Sequence, residues 1–178
     1  MLVEVRVQSL ALDRTTNAPV VILQEVEGER VLPIWIGPSE ASAIAMQLAD
    51  MEFSRPLTHD LICSVLNGLG GALQKVIITK VQKSTYFAEL IVRRNGELIT
   101  VDARPSDSIA VALRVDARIF ADSTLLEEAT IEISEEESVP HGEGDARPTL
   151  DPDAEMGPEE LKEYLRRLNP QDFGRFTP

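Results

Sequence analysis

One segment of this 178-residue chain is written twice, and that doubling limits the fold more than any other feature. At an offset of 67 residues, counted from Pro38 to Pro105, Leu32 aligns with Ile99, Ile34 with Val101, Ile36 with Ala103, Ser39 with Ser106, Glu40 with Asp107, Ala43 with Ala110 and Ala45 with Ala112. Both copies run from an apolar strand through Pro-Ser-acid into a helix of small residues. A Pro at the first helical turn gives up an amide hydrogen that would have no partner there. A Ser can cap, and an acid sits well at the positive end of the helix dipole. The copies differ where it counts: Asp102 stands in place of Trp35, and Arg104 in place of Gly37.

The segments around each copy read as strands. Residues 2–12 alternate with period two (Val3, Val5 and Val7 against Glu4, Arg6 and Gln8), which gives one core face and one solvent face. The apolar run 20–23 and residues 31–36 follow, so three strands in a meander precede the helix that starts at Pro38 and runs to about Met51. A second helix starts around Arg55 to Asp60, carries Leu57, Leu61, Val65, Leu66 and Leu69 as its apolar stripe, and stops at Gly70-Gly71. It joins the two copies. Strand patterns return at 76–81, 86–92 and, after the Asn95-Gly96 turn, 98–103, and Pro105-Ser106-Asp107 opens a helix to about Val115. Residues 119–121 and 130–133 read as short closing strands around a turn or helix at 123–129. The expected class is α+β: a duplicated β-β-β-α unit with a linking helix, in mostly antiparallel sheets packed with helices.

The formal net charge is −13, divided as 12 Lys+Arg against 18 Asp+Glu in residues 1–134 and 5 against 12 in 135–178. Whole-surface attraction to nucleic acid or to an anionic membrane is excluded, although a local basic site is not. Residues 135–157 are acidic, rich in Pro and Gly and nearly free of apolar side chains, so they read as a disordered linker. Residues 158–178 follow as an accessory ending. Its short helix at 158–168 has Leu161, Tyr164, Leu165 and Leu168 on one side, and a helix this short must dock on its own domain, on a second subunit or on a partner. No apolar run approaches the roughly 20 residues that cross a bilayer, and the chain opens directly in a strand pattern, so a cytoplasmic protein without membrane association is expected. The single cysteine, Cys63, lies in a helical apolar pattern and reads as a buried, unreactive thiol.

Two places carry candidate chemistry. Along the strand that ends at Arg104 the side chains alternate, so Asp102 and Arg104 share a face opposite Val101 and Ala103. Together with Ser106 and Asp107 they form a strand-to-helix junction able to hold a divalent cation on its carboxylates and a phosphate on the guanidinium and helix amides. The plainer reading makes Arg104 an ion-pair partner of Asp102 or Asp107 and makes Asp107, like Glu40, a stabiliser of a helix start. The second place is His59-Asp60. There Thr58 or Asp60 can cap the helix while His59 bonds at the domain edge, or His59 can act as a general base or phosphate contact. The only other histidine, His141, falls in the linker, which removes multi-histidine metal phosphohydrolase and Cys/His zinc arrangements. There is no Walker loop and no Gly-x-Ser-x-Gly elbow, and Gly68-Leu69-Gly70-Gly71 reads as a helix stop. With aromatic content at 4%, no paired strand aromatics of the RNA-recognition type are expected.

Three blocks in order, Leu32-Pro33-Ile34-Trp35-Ile36-Gly37 with Glu40-Ala41, then Arg55-Pro56-Leu57-Thr58-His59-Asp60-Leu61, then Val101-Asp102-Ala103-Arg104-Pro105-Ser106-Asp107 with Ile109-Ala110, closely resemble the bifunctional nuclease domain family over about residues 1–134. The resemblance implies nuclease activity on RNA and DNA and a homo-oligomer, most simply a dimer. On its motif positions the expected roles are these. His59, Asp60, Arg104 and Asp107 are catalytic; Arg55, Thr58 and Ser106 bind substrate; Asp102 and Asp107 hold Mg²⁺ or Mn²⁺; and Glu40 is a further motif position. The competing expectation is a regulatory or ligand-binding module that uses the same junction without breaking a bond.

Overall fold

A computed structural model describes residues 1–13 and 16–129, so the expected strand at 130–133, the linker and the C-terminal helix lie outside the described residues. The first half forms β1 (Leu2–Leu12), β2 (Pro19–Glu25), β3 (Val31–Trp35) and α1 (Pro38–Leu48). After α2 (Thr58–Gly68) the second half repeats the order as β4 (Gly71–Gln82), β5 (Thr85–Arg94), β6 (Glu97–Ala103) and α3 (Pro105–Arg114). β7 (Arg118–Asp122) and a helical stretch over 123–129, α4, complete the described chain. No described helix is long and apolar enough to cross a membrane.

The strands form one sheet rather than the several expected, in the order β3-β2-β1-β7-β4-β5-β6. Each meander is antiparallel within itself. β7 sits between them, antiparallel to β1 and parallel to β4, and so unites the two halves. The β5–β6 hairpin turns at Asn95 (φ 52°) and Gly96 (φ 84°), as the Asn-Gly pair predicts. The β4–β5 hairpin makes the same left-handed pair of residues from Lys83 (φ 50°) and Ser84 (φ 60°), which carry no comparable sequence signal.

One face of the sheet carries the core. Val5, Leu23 and Val21 from the first meander, Val76, Ile78 and Leu90 from the second, and Ile119 and Ala121 of β7 pack under Ile44 of α1 and Ile109 and Ala110 of α3. Small residues let α1 and α3 pack closely, with Ala41, Ala45, Ala110 and Ala112 all buried. The opposite face is covered only in part, with Val20 and Ile91 buried on it, and Lys75 Nζ and the Arg118 guanidinium lie 5.4 and 5.5 Å from the Phe120 ring centre there.

Two expectations about faces change. The α2 stripe does not point inward: Leu61, Val65 and Leu69 are 55%, 50% and 60% exposed, whereas Cys63 is buried and Leu66 packs on the core. The cause is polar, because His59 and Asp60 both bond to α3 and thereby set the rotation of the helix. Likewise Ile99 and Val101 on β6 are exposed although their counterparts Leu32 and Ile34 on β3 are buried, so the two edge strands of the sheet are not covered alike.

Candidate functional site

The N-termini of α1, α2 and α3 deliver the polar side chains. α3 starts with Arg104 as N-cap and Pro105 in its first turn, and α1 starts in the same way with Gly37 and Pro38. Neither Ser39 nor Ser106 caps; Ser106 is buried, so its side chain is not presented to a ligand. Asp107 and Glu40, the acids of the two copies, meet at Arg104. Arg104 Nε donates to Asp107 Oδ2 at 2.7 Å and Nη2 to Asp107 Oδ1 at 3.3 Å, while Nη1 lies 2.9 Å from Glu40 Oε1. A side chain at position 37 would overlap the Glu40 carboxylate, so Gly37 is what lets Glu40 fold back toward Arg104.

Asp107 also holds His59, whose Nε2 lies 3.1 Å from Oδ1. Burial pushes the Asp107 carboxyl up, but the bonds from Arg104 and His59 outweigh burial and hold it below the ordinary carboxylate value. An ionised carboxylate only accepts, so Nε2 carries the hydrogen, and in the neutral tautomer that this contact selects the lone pair is on Nδ1. The His59 side chain is 12% exposed and that of Arg104 is 65% exposed, which leaves the guanidinium open to solvent while it is oriented from two sides.

Asp60 has a different task. Its Oδ2 accepts from the Leu57 amide at 2.7 Å, which caps α2, and its Oδ1 accepts from Arg114 Nε. Leu57 is the N-cap and has no side-chain acceptor, so only the acidic half of a capping box exists, and Thr58 caps nothing. The Arg114 hydrogen bond, then the Leu57 amide, hold the Asp60 carboxyl below its usual value. With both oxygens engaged, Asp60 fixes α2 to α3 rather than facing a ligand. Arg114 was not singled out in the sequence. Its one signal there is a cation in the last turn of a helix, where the dipole favours it. The Arg114 side chain is 6% exposed, and Nη1 bonds the carbonyls of Ala110 and Ala43 at 2.8 and 3.3 Å.

Next to this pair opens a cleft of about 270 Å³ lined by Met46, Gln47, Met51, Glu52, Phe53, Asp60 and Arg114. Arg55 and Thr58 are exposed on the approach to α2. Asp102 is exposed on β6 opposite Glu89, and no group of three or more His, Cys, Asp and Glu side chains suited to a metal ion occurs among the described residues. As arranged, the donors do not make a cation site: Asp107 and Glu40 are turned onto a guanidinium, and Asp102 faces a like charge. Cys63 is buried, and burial pushes its thiol up, which makes it unreactive.

Comparison with known proteins identifies the family. A family model described as the bifunctional nuclease domain matches residues 21–134. An uncharacterised protein of Mycobacterium tuberculosis is 42% identical over 170 residues, spanning 96% of this chain and 97% of its own. Bifunctional nuclease 2 of Oryza sativa subsp. japonica is 29% identical over 111 residues, and bifunctional nuclease 1 of Arabidopsis thaliana is 26% identical over 100. Those matches cover 60% and 54% of this chain but only 34% and 31% of the plant proteins.

Proposed function

This chain belongs to the bifunctional nuclease domain family, and from that premise we propose that it hydrolyses phosphodiester bonds of RNA and DNA at the cluster of His59, Asp107, Arg104 and Glu40. The observation that carries the reading is that one carboxylate, Asp107, positions a histidine and an arginine together at the opening of a helix. His59 Nδ1 takes a proton from a water molecule whose oxygen attacks phosphorus, and the Asp107 carboxylate supports the imidazolium that forms. The phosphorus–oxygen bond to the leaving group breaks, and the leaving oxygen takes its proton from solvent. Arg104 has five N–H groups and spends three of them on Asp107 and Glu40, which leaves the others for the phosphate. Charge develops on the non-bridging oxygens in the transition state, where an oriented guanidinium beside the α3 N-terminus is most effective. Arg55 and Thr58 extend the contact to the substrate backbone, and Asp60 positions α2. Because Glu40 and Asp107 are turned onto Arg104, water activation falls to His59 in this reading.

Purified protein incubated with labelled RNA and duplex DNA, with and without chelator, tests this. Arg104→Ala and Asp107→Asn should each lower the cleavage rate by about 10²–10³-fold. Cleavage undiminished in both variants would identify a contaminant and end the proposal. One observation favours the second reading, a binding module without chemistry: Glu40 and Asp107 already neutralise Arg104. In that case nucleic acid stays intact in every lane, while a small anionic ligand still binds wild type more tightly than Arg104→Ala.

A further inference from the structure

The cleft beside Asp60 has the makings of a base-recognition pocket. Met46, Met51 and Phe53 give it apolar walls, with Phe53 and Met51 substantially exposed although they are large and hydrophobic. Gln47, Glu52, Asp60 and Arg114, four of the seven lining residues, supply its polar groups, with both Asp60 oxygens already engaged. The lining is more polar than apolar, so hydrogen-bonding groups select an occupant that the apolar side chains seat.

Arg114 gives the pocket its direction. Nε is bound to Asp60 and Nη1 to two main-chain carbonyls, so the guanidinium cannot swing away. Nη2 has no hydrogen-bond partner among the described residues, yet no buried side-chain nitrogen or oxygen there lacks one. Nη2 is therefore not sealed in, and as a lining residue Arg114 offers those N–H donors to the cleft. Glu52, also on the lining, offers only acceptors.

We propose that this cleft binds a nucleobase, and guanine in preference to the others, as the specificity pocket of the site that opens at His59. Guanine stacks on Phe53 and the methionine sulfurs, directs O6 and N7 at Arg114 and Gln47, and donates its N1–H and N2–H to Glu52. Adenine places an amino group against the guanidinium and an acceptor against the carboxylate, two mismatches in one ring. The placement suits a substrate. His59 and Asp60 are adjacent in α2, and their partners Asp107 and Arg114 lie seven residues apart on α3, about 10 Å along the helix axis. That is the scale of one nucleotide.

The inference rests on the nuclease reading for its biological sense but not for its test, because a mononucleotide has no diester bond to cleave. Calorimetric titration of the full-length protein with guanosine, adenosine, cytidine and uridine 5′-monophosphates should show the guanosine nucleotide binding about tenfold or more tightly than the rest. Glu52→Gln should remove most of that preference, leaving the adenosine nucleotide within about twofold, and Phe53→Ala should weaken all four. Both positions are exposed, so neither substitution threatens the fold. No binding, equal binding of all four, or a preference unchanged in Glu52→Gln would overturn the pocket. If RNA is cleaved without base preference and the guanosine nucleotide does not bind, the pocket falls and the nuclease stands. Binding without cleavage of any polymer reverses that outcome.

Discussion

Asp60 and Asp107 sit on the same side of the molecule and do opposite things with a carboxylate. Asp107 orients groups that remain partly open to solvent, while Asp60 compensates a buried guanidinium. Removing Asp60 therefore leaves Arg114 charged and short of its main partner. Asp60→Asn should destabilise the protein by about 1–3 kcal/mol at neutral pH, the lower part of the range reflecting the solvent that reaches Asp60. The pH dependence has a definite sign. Because the folded-state value of Asp60 is depressed, its contribution is complete above the unfolded carboxylate value of about 4 and is lost as pH falls through the lower folded value. Urea unfolding of wild type and Asp60→Asn between pH 7 and acid should give curves that converge below about pH 4. A gap that stays constant across that range would assign the stabilisation to something other than this ion pair. Asp60 was legible as a capping residue because Leu57 to Leu61 reads as a helix start. Its second role was not legible, since Arg114 lies 54 residues away and nothing local to either residue announces the pair.

At the scale of elements, strand alternation and the Pro-Ser-acid openings placed β1 to β3, β5, β6, α1 and α3 within a few residues of where they fold. Periodicity could show that α2 is a helix but not which face it buries. Leu61, Val65 and Leu69 form a better apolar stripe than Cys63 and Leu66 do, yet the polar contacts at the helix start override it. This makes a contrast that chemical denaturation can read. Leu66→Ala removes core contact and should cost about 1–3 kcal/mol. Val65→Ala, one position earlier, should change stability by less than about 0.5 kcal/mol, since Ala gains in helix propensity what little contact is lost. Equal losses at both positions would mean that α2 is seated on its apolar stripe. The same limit applies to β6, where the repeat predicts buried Ile99 and Val101 but cannot say that this edge of the sheet is left uncovered while the β3 edge is not.

For the whole molecule, the repeat predicts two similar units, and what it leaves out is their joint. β7 lies outside both copies, and its pairing with β1 and β4 makes a single sheet from two meanders. Ile119 and Ala121 are buried beside Val5, Val76 and Ile78 in the common core. Ile119→Ala should therefore lower stability by about 2–4 kcal/mol, and unfolding should remain one transition seen alike by fluorescence of the single tryptophan, Trp35, and by circular dichroism. Two separated transitions would show that the halves melt independently. The candidate site depends on the same joint, because Glu40 comes from the first half and Arg104 and Asp107 from the second.

The joint also comes late. A growing chain makes both meanders before it makes residues 118–122, and until then β1 and β4 each present an unzipped border of amide and carbonyl groups. Synthesis of those few residues is the moment at which the two borders are closed, and a ribosome that stalls just short of them holds a chain primed to pair with its neighbours instead.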